Sequence, residues 1–342
     1  MAPYTVVTVA PTFPTKRIQQ GLRLVAKRYI PESSNRDGYT LLFFHCAGSH
    51  KEAWEPTIES VLPVIDPAAG LPIVREAWSF DMQNHGESAT WNLEALKTLD
   101  HPLTVEDWAD GFKAFIASGA LDGHKLICVG HSLGASAMIL ATYPDDLPPV
   151  NYTGIVLVED ALLARAVYAK TQEENHAQLK TIFEAVTKRR DLWNSREEAQ
   201  RYFEKRIPWV MWDKRVLQLY VRHGLREFDV EEGGKKASKV TLACPKEQER
   251  FAYHHIAPHF RVGDRLPTLD PSIPIHFIHG ERNDVIPEYM HDSIVALPKK
   301  VASVQNVPDA GHFVVQENPD ELAKAINNVL ISMSRSRLKA NL

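Results

Sequence analysis

Gly130-His131-Ser132-Leu133-Gly134 is the stretch of this chain on which chemistry can be built. It follows the apolar run Leu126-Ile127-Cys128-Val129 and precedes the helix-prone Ala135-Ser136-Ala137-Met138-Ile139-Leu140. A G-x-S-x-G set between a strand and a helix is the context of a nucleophilic serine held on a sharp turn. The glycines let the backbone turn and let neighbouring elements approach. The helix N-terminus, with its free N–H groups, favours the oxyanion formed in acyl transfer. The alternative is a strand-to-helix turn with an incidental serine, and partner residues decide between the two.

A serine hydroxyl is a poor nucleophile until a base takes its proton. The base is expected to be a histidine whose tautomer is fixed by an acid, in the chain order serine, acid, histidine. Asp284 lies in His279-Gly-Glu-Arg-Asn-Asp-Val-Ile-Pro287, and His312 in Pro308-Asp-Ala-Gly-His-Phe313, each after a predicted strand. The sequence therefore predicts Ser132 as nucleophile, Asp284 as acid and His312 as base. Glu159 and Asp160, at the end of the strand before Asp284's, are the rival acids. His131 reads as a structural neighbour. Two backbone N–H groups should form an oxyanion hole: Leu133, after the serine, and Ala47, in the loop His45-Cys-Ala-Gly-Ser49. Cys46 reads as lining that loop. Tyr253-His254-His255, with His259 nearby, has the look of a metal cluster, but no acid or cysteine completes a convincing set and no metal is expected.

The elements that must position these residues follow in order. Leu22 to Ile30 alternates as a strand, and Leu41 to His45 is a continuous apolar run of the buried parallel kind. Ile73 to Phe80, Lys125 to Val129, Gly154 to Val158, Ile275 to Ile278 and Ala302 to Val307 are further strands. Val105 to Ile116 and Pro319 to Met333 have helical spacing. Strands alternating with helices predict a mostly parallel sheet covered on both faces, with reactive groups beyond the carboxyl ends of the strands. The expected organisation is a core of residues 1–160 and 275–342, with 161–274 a mainly helical cap inserted between core strands. That segment is rich in aromatics (Phe183, Trp193, Tyr202, Phe203, Trp209, Trp212, Tyr220), read as mostly its own core with about a third facing a substrate. Gly233-Gly234 before Lys239 to Cys244 marks a short hairpin.

Composition narrows the class. The chain has 342 residues, 44% hydrophobic and 24% charged, as expected of a soluble globular protein with an ample core. A net charge of -4 gives no reason to expect nucleic acid as a partner. Three cysteines, Cys46, Cys128 and Cys244, make no disulfide framework and fit a reducing compartment. The N-terminus lacks a secretory signal pattern, and no apolar stretch is long enough to span a bilayer.

With these residues in place, the chain resembles the α/β-hydrolase superfamily from about Leu22 to about Met333. The matching segments are the His45 loop, Asp81-Met-Gln-Asn-His-Gly-Glu-Ser88, Gly130 to Gly134, His279 to Pro287, and Gly311-His312. Asp81 to Ser88 is similar to the D-x-x-x-H-G-x-S segment of that superfamily. Together with Lys51-Glu-Ala-Trp-Glu-Pro56 it resembles the fungal peroxisomal lipase and toxin-biosynthesis hydrolase branch. The resemblance implies an α/β-hydrolase fold, a cap over the nucleophile, and ester or thioester hydrolysis without a cofactor. Cys46 departs from the usual His-Gly, so that loop must accommodate a β-carbon. Ala340-Asn341-Leu342 resembles a peroxisomal tripeptide with Asn341 in place of the usual basic residue, and Arg335, Arg337 and Lys339 lie upstream. A peroxisomal address and an ordinary solvated tail of a cytoplasmic protein are the two readings.

The expectation is a serine hydrolase that cleaves a small-molecule carboxylic ester or acyl thioester, with a largely apolar acyl group, through an acyl-enzyme. Acyl transfer on the same triad is one alternative, and a non-catalytic small-molecule-binding protein on a hydrolase fold is another. A serine at position 132 argues against epoxide-hydrolase or dehalogenase chemistry, which this fold runs from an aspartate.

Overall fold

Eight strands form the central sheet of the computed structural model, which describes residues 4–15, 18–232 and 235–340. They are β1 (Tyr4–Val9), β2 (Ala26–Pro31), β3 (Tyr39–Phe44), β4 (Val74–Phe80), β5 (Lys125–His131), β6 (Gly154–Val158), β7 (Ile275–Gly280) and β8 (Ser303–Val307). Their spatial order is β1-β2-β4-β3-β5-β6-β7-β8. From β4 to β8 all neighbours are parallel, and β1 and β2 add an antiparallel edge. β3, β6 and β7 are buried at every residue, which is why they read as unbroken apolar runs in sequence. β1 was not expected. It is an edge strand with an exposed interior, in which even Val6 and Val7 face solvent.

Helices cover both faces. On one side α1 (Val105–Ala117) and α2 (Leu133–Leu140) pack Trp108, Phe112 and Met138 against Phe44, Phe80 and Cys128. On the other, the helix Glu55–Val61 and the closing helix Pro319–Ala340 bury Ile58, Ile326 and Leu330 against Phe43, Val129 and Val156. α1 starts where the sequence placed it, because Thr104 and Asp107 exchange bonds in a capping box, with Thr104 Oγ1 accepting from the Asp107 N–H at 3.2 Å. The strand expected over Leu22 to Ile30 is interrupted, with Leu22–Arg23 and β2 pairing different partners. No helix among the described residues is long and apolar enough to cross a membrane.

The segment between β6 and β7 carries α3 (Gln172–Lys188), α4 (Lys214–His223), α5 (Lys246–His254) and α6 (Ala257–Arg265). It also holds a three-stranded antiparallel sheet in the order Leu225–Glu232, Lys235–Leu242, Leu192–Trp193. The expected hairpin is thus two eight-residue strands, and the Gly233-Gly234 pair lies outside the described residues. Trp193, Phe203, Trp209, Trp212 and Tyr220 form a small core of their own that reaches Ala53 beneath.

Strand register delivers the site. His131 pairs with Val158, and Val158 with Ile278, so Ser132 and Glu159 stand side by side just past the carboxyl ends of β5 and β6. Two bonds continue the ladder there, Ser132 N–H to Val158 C=O at 3.1 Å and Glu159 N–H to Ile278 C=O at 2.9 Å. Gly280 pairs with Val307, which brings the loops after β7 and β8 to the same edge.

Candidate active site

Ser132 sits at φ 53°, ψ −115°, a region that residues with a β-carbon rarely adopt. The strain is held by packing. A β-carbon at Gly134 would lie 2.6 Å from the Phe44 carbonyl oxygen, and one at Gly130 would lie 2.7 Å from Ala135 N. Both glycines are therefore needed for α2 to fold back onto the sheet. Strained residues of this kind cluster at functional sites.

His312 Nε2 lies 3.1 Å from Ser132 Oγ. The ring's other nitrogen, Nδ1, lies 3.1 Å from Glu159 Oε2. A carboxylate can only accept, so Nδ1 carries the proton and Nε2 presents its lone pair to the serine hydroxyl. Glu159 is also at positive φ, 43°, and its other oxygen accepts from Gly280 N–H at 2.6 Å. This turn swings the carboxylate across β7 toward the imidazole. Burial alone would raise the Glu159 pKa. His291, 3.5 Å away, and His312 more than reverse this and hold the carboxyl below the usual carboxylate range.

Asp284, the expected acid, makes no hydrogen bond to the imidazole among the described residues. It accepts from the backbone N–H of His312 at 2.9 Å and rests against Gly311, at the place a β-carbon would fill. Asp284 thus fastens the histidine loop, and Glu159, the rival acid, stands against the ring. Asp160 is farther off, its nearest basic partner being His279 at 3.8 Å. His131 Nε2 donates to the His312 carbonyl at 2.7 Å. Burial, reinforced by the neighbouring His312, lowers the His131 pKa to about 3, so it serves as a neutral prop.

The loop carrying Ala47 is built from below. His45 donates from Nδ1 to the Cys46 carbonyl at 2.7 Å and accepts from Met82 N–H at Nε2, 3.1 Å away. His85 Nε2 accepts from Gly48 N–H at 3.0 Å, and its Nδ1 donates to Asn84 Oδ1 at 2.6 Å. Asn84 Nδ2 in turn donates to Gln248 Oε1 on α5 at 3.0 Å. Asp81 accepts from Lys51 N–H at 2.8 Å and from Lys51 Nζ at 3.0 Å. The Asp81 to Ser88 motif is therefore a clamp on the His45 loop. Sequence reading noticed the motif but not this work, and it missed Gln248 entirely because that partner lies 164 positions away. The Cys46 thiol is sealed, with its pKa pushed up to about 12 by burial. It accepts from Gln316 Nε2 at 3.4 Å.

Two cavities meet at the serine. One, of about 90 Å³, has walls that include Leu163, Leu179, Ile256, Ile286 and Met290. The other, of about 580 Å³, is walled by Tyr202, Trp209, Trp212, Tyr220 and Phe313, with the buried Arg189–Glu249 pair at its side. More of the segment's aromatics face this space than the third expected, because Trp209, Trp212 and Tyr220 serve both the small core and the cavity wall. The histidines that looked like a metal cluster are engaged separately. His255 stacks on Phe251, and His259 Nδ1 lies 2.9 Å from Ser136 Oγ. Among the described residues, no group of three or more His, Cys, Asp or Glu side chains could hold a metal ion.

Fold and site define an α/β protein with a serine on a strained strand-to-helix turn, a histidine at its hydroxyl and a carboxylate behind the ring. The chain matches the alpha/beta hydrolase family over residues 41–325 and belongs to that family. No curated protein matches it. Among solved structures it is similar to the peroxisomal α/β-hydrolase Lpx1 of Saccharomyces cerevisiae, at 17% identity and a TM-score of 0.70, over 96% of this chain and 89% of that one. It is also similar to an esterase of Mycobacterium tuberculosis (18% identity, TM-score 0.59, covering 94% and 92%). A thioesterase domain from the curacin biosynthetic pathway has the same fold (15% identity, TM-score 0.59, covering 95% and 99%).

Proposed function

We propose that the protein is a serine hydrolase of carboxylic esters or acyl thioesters, working through a Ser132–His312–Glu159 triad. The observation that carries this is the unbroken chain from Ser132 Oγ to His312 Nε2 and from His312 Nδ1 to Glu159, both links at 3.1 Å. His312 takes the hydroxyl proton as Ser132 attacks the substrate carbonyl. Glu159 steadies the imidazolium that results. The backbone N–H groups of Ala47 and Leu133 receive the oxyanion, in a place that excludes most water. His312 then passes its proton to the leaving group and activates water to release the acyl-enzyme. Asp284 holds the loop, not the ring. The esterase and thioesterase named among the similar structures agree with this chemistry.

In this reading residues 161–274 are the cap, and the cavities give the substrate its shape. The narrow one, of about 90 Å³ and lined mostly by aliphatic side chains, suits a short aliphatic group. The wide one takes a larger group against aromatic rings. A peroxisomal address is part of the proposal. The tail supports it, although Asn341 and Leu342 lie outside the described residues, and so does the peroxisomal setting printed for the yeast structure. A tagged protein lacking residues 340–342 should then move to the cytosol.

The test is turnover of p-nitrophenyl esters and acyl-CoAs of varied chain length by the wild type, Ser132→Ala and His312→Ala. Wild-type activity lost in both folded variants supports the reading. Activity that survives Ser132→Ala removes it.

A further inference from the structure

The two cavities share six wall residues: Ala47, Ser132, Ile182, Tyr253, Val285 and His312. A substrate with its carbonyl at Ser132 and one arm in each cavity must pass all six. Ser132 and His312 perform the proposed chemistry, Ala47 offers its backbone, and Ile182 and Val285 are apolar. Tyr253 alone adds a further polar side-chain group at the branch point. It is half-buried, and its hydroxyl makes no hydrogen bond among the described residues. The hydroxyl is thus a donor that the protein leaves uncommitted, and a ligand that accepts from it takes the place of the water it would otherwise meet.

Its placement is firmly set. Tyr253 lies on α5, one turn beyond Glu249, whose carboxylate pairs with Arg189 through both guanidinium ends. Gln248, on the same helix, accepts from Asn84 and from Leu103 N–H at 3.0 Å each. The helix is therefore pinned to the core at the turn preceding Tyr253. Burial holds the phenol pKa well above its ordinary value, so the group stays a donor and does not join in proton transfer.

An ester presents two oxygens at the branch point. The carbonyl oxygen is served by the Ala47 and Leu133 amides, which leaves the oxygen that bridges to the departing alcohol. We propose that the Tyr253 hydroxyl donates a hydrogen bond to that bridging oxygen and so selects oxygen esters over thioesters, whose sulfur is a weak acceptor. No bond is made or broken by Tyr253. Its hydrogen bond strengthens as negative charge builds on the departing oxygen, and His312 still delivers the proton that releases the alcohol.

This inference rests on the hydrolase reading and refines its substrate class from ester or thioester to ester. The experiment compares phenyl butyrate with S-phenyl thiobutyrate, using the wild type and Tyr253→Phe, with a thermal melt of each protein. On the oxygen ester, kcat/KM should fall about 10-fold in Tyr253→Phe, as expected for one hydrogen bond strengthened in the transition state. On the thioester it should fall less than about 2-fold, because sulfur gives the hydroxyl little to lose. Equal losses on both substrates would mark Tyr253 as packing only and overturn the proposal, as would no loss on either. If the wild type cleaves neither substrate and Ser132 takes no fluorophosphonate, the hydrolase reading itself fails and this inference with it.

Discussion

Exchanging the two carboxylates one at a time separates the roles that the structure gives them. In Glu159→Gln the side chain keeps its length and still has an oxygen for Gly280 N–H, but the charge behind the imidazole is gone. Two unit charges 3.1 Å apart interact by about 5 kcal/mol at the effective dielectric of about 20 that suits such sites. That energy is realised only when His312 carries its extra proton, which is in the transition state. The amide can also donate to Nδ1 and fix the wrong tautomer, for which losses of about 10⁴ are typical in this kind of triad. We therefore expect kcat/KM to fall by about 10³ to 10⁴ in Glu159→Gln. Asp284→Asn keeps an oxygen for the His312 N–H and loses the charge assistance of that bond and a 3.8 Å ion pair with Arg282 at a partly exposed position. The expected loss is about 10-fold or less. The assay is steady-state hydrolysis of p-nitrophenyl butyrate, with thermal melts to show that both variants fold. A severe Asp284→Asn beside a nearly silent Glu159→Gln would instead make Asp284 the acid.

Other outcomes follow from buried groups. Burial lowers the pKa values of His45 and His131 to about 3, while each titrates near 6.5 when unfolded. The unfolded chain therefore binds more protons between pH 6.5 and 3, and stability is lost as pH falls through that window. From pH 7 to 5 each histidine should cost about 2 kcal/mol, read as a lower urea midpoint; a midpoint unchanged between these pH values would contradict this. In His131→Gln the pH dependence should shrink by about one such step. Arg189→Met strands the Glu249 carboxylate, which is only 5% exposed, and should destabilise by about 3–5 kcal/mol. Arg189→Met combined with Glu249→Leu should recover most of that in chemical denaturation, and failure to recover would mean the pair has no such role. His85→Leu removes the acceptor for Gly48 N–H and should lower kcat about 10-fold with little change in KM, since the loop that carries Ala47 is loosened. A change in KM alone would argue against that loop's role.

Much of the fold was legible because its central strands are buried on both faces and leave continuous apolar runs, as in Gly154 to Val158 and Ile275 to Ile278. Ser132 was legible because a turn this tight demands glycine on both sides, and His312 because a glycine before it admits Asp284 so closely. The choice between Glu159 and Asp284 was not legible. Both follow adjacent parallel strands, and what separates them is a backbone angle, φ 43° at Glu159, and a bond from Gly280 N–H. Neither leaves a mark on residue type. The Gln248–Asn84–His85–Gly48 chain was hidden for another reason. Its members are ordinary polar residues whose partners are set by tertiary packing, and no local periodicity encodes them.

Whether Ser132 is a nucleophile activated by His312 is read out by reaction with a fluorophosphonate followed by peptide mass mapping. One adduct per chain is expected, on Ser132, absent in Ser132→Ala and at least about 10³-fold slower to form in His312→Ala. Folded wild-type protein that takes no adduct at Ser132, or takes it equally fast without the imidazole, would contradict it.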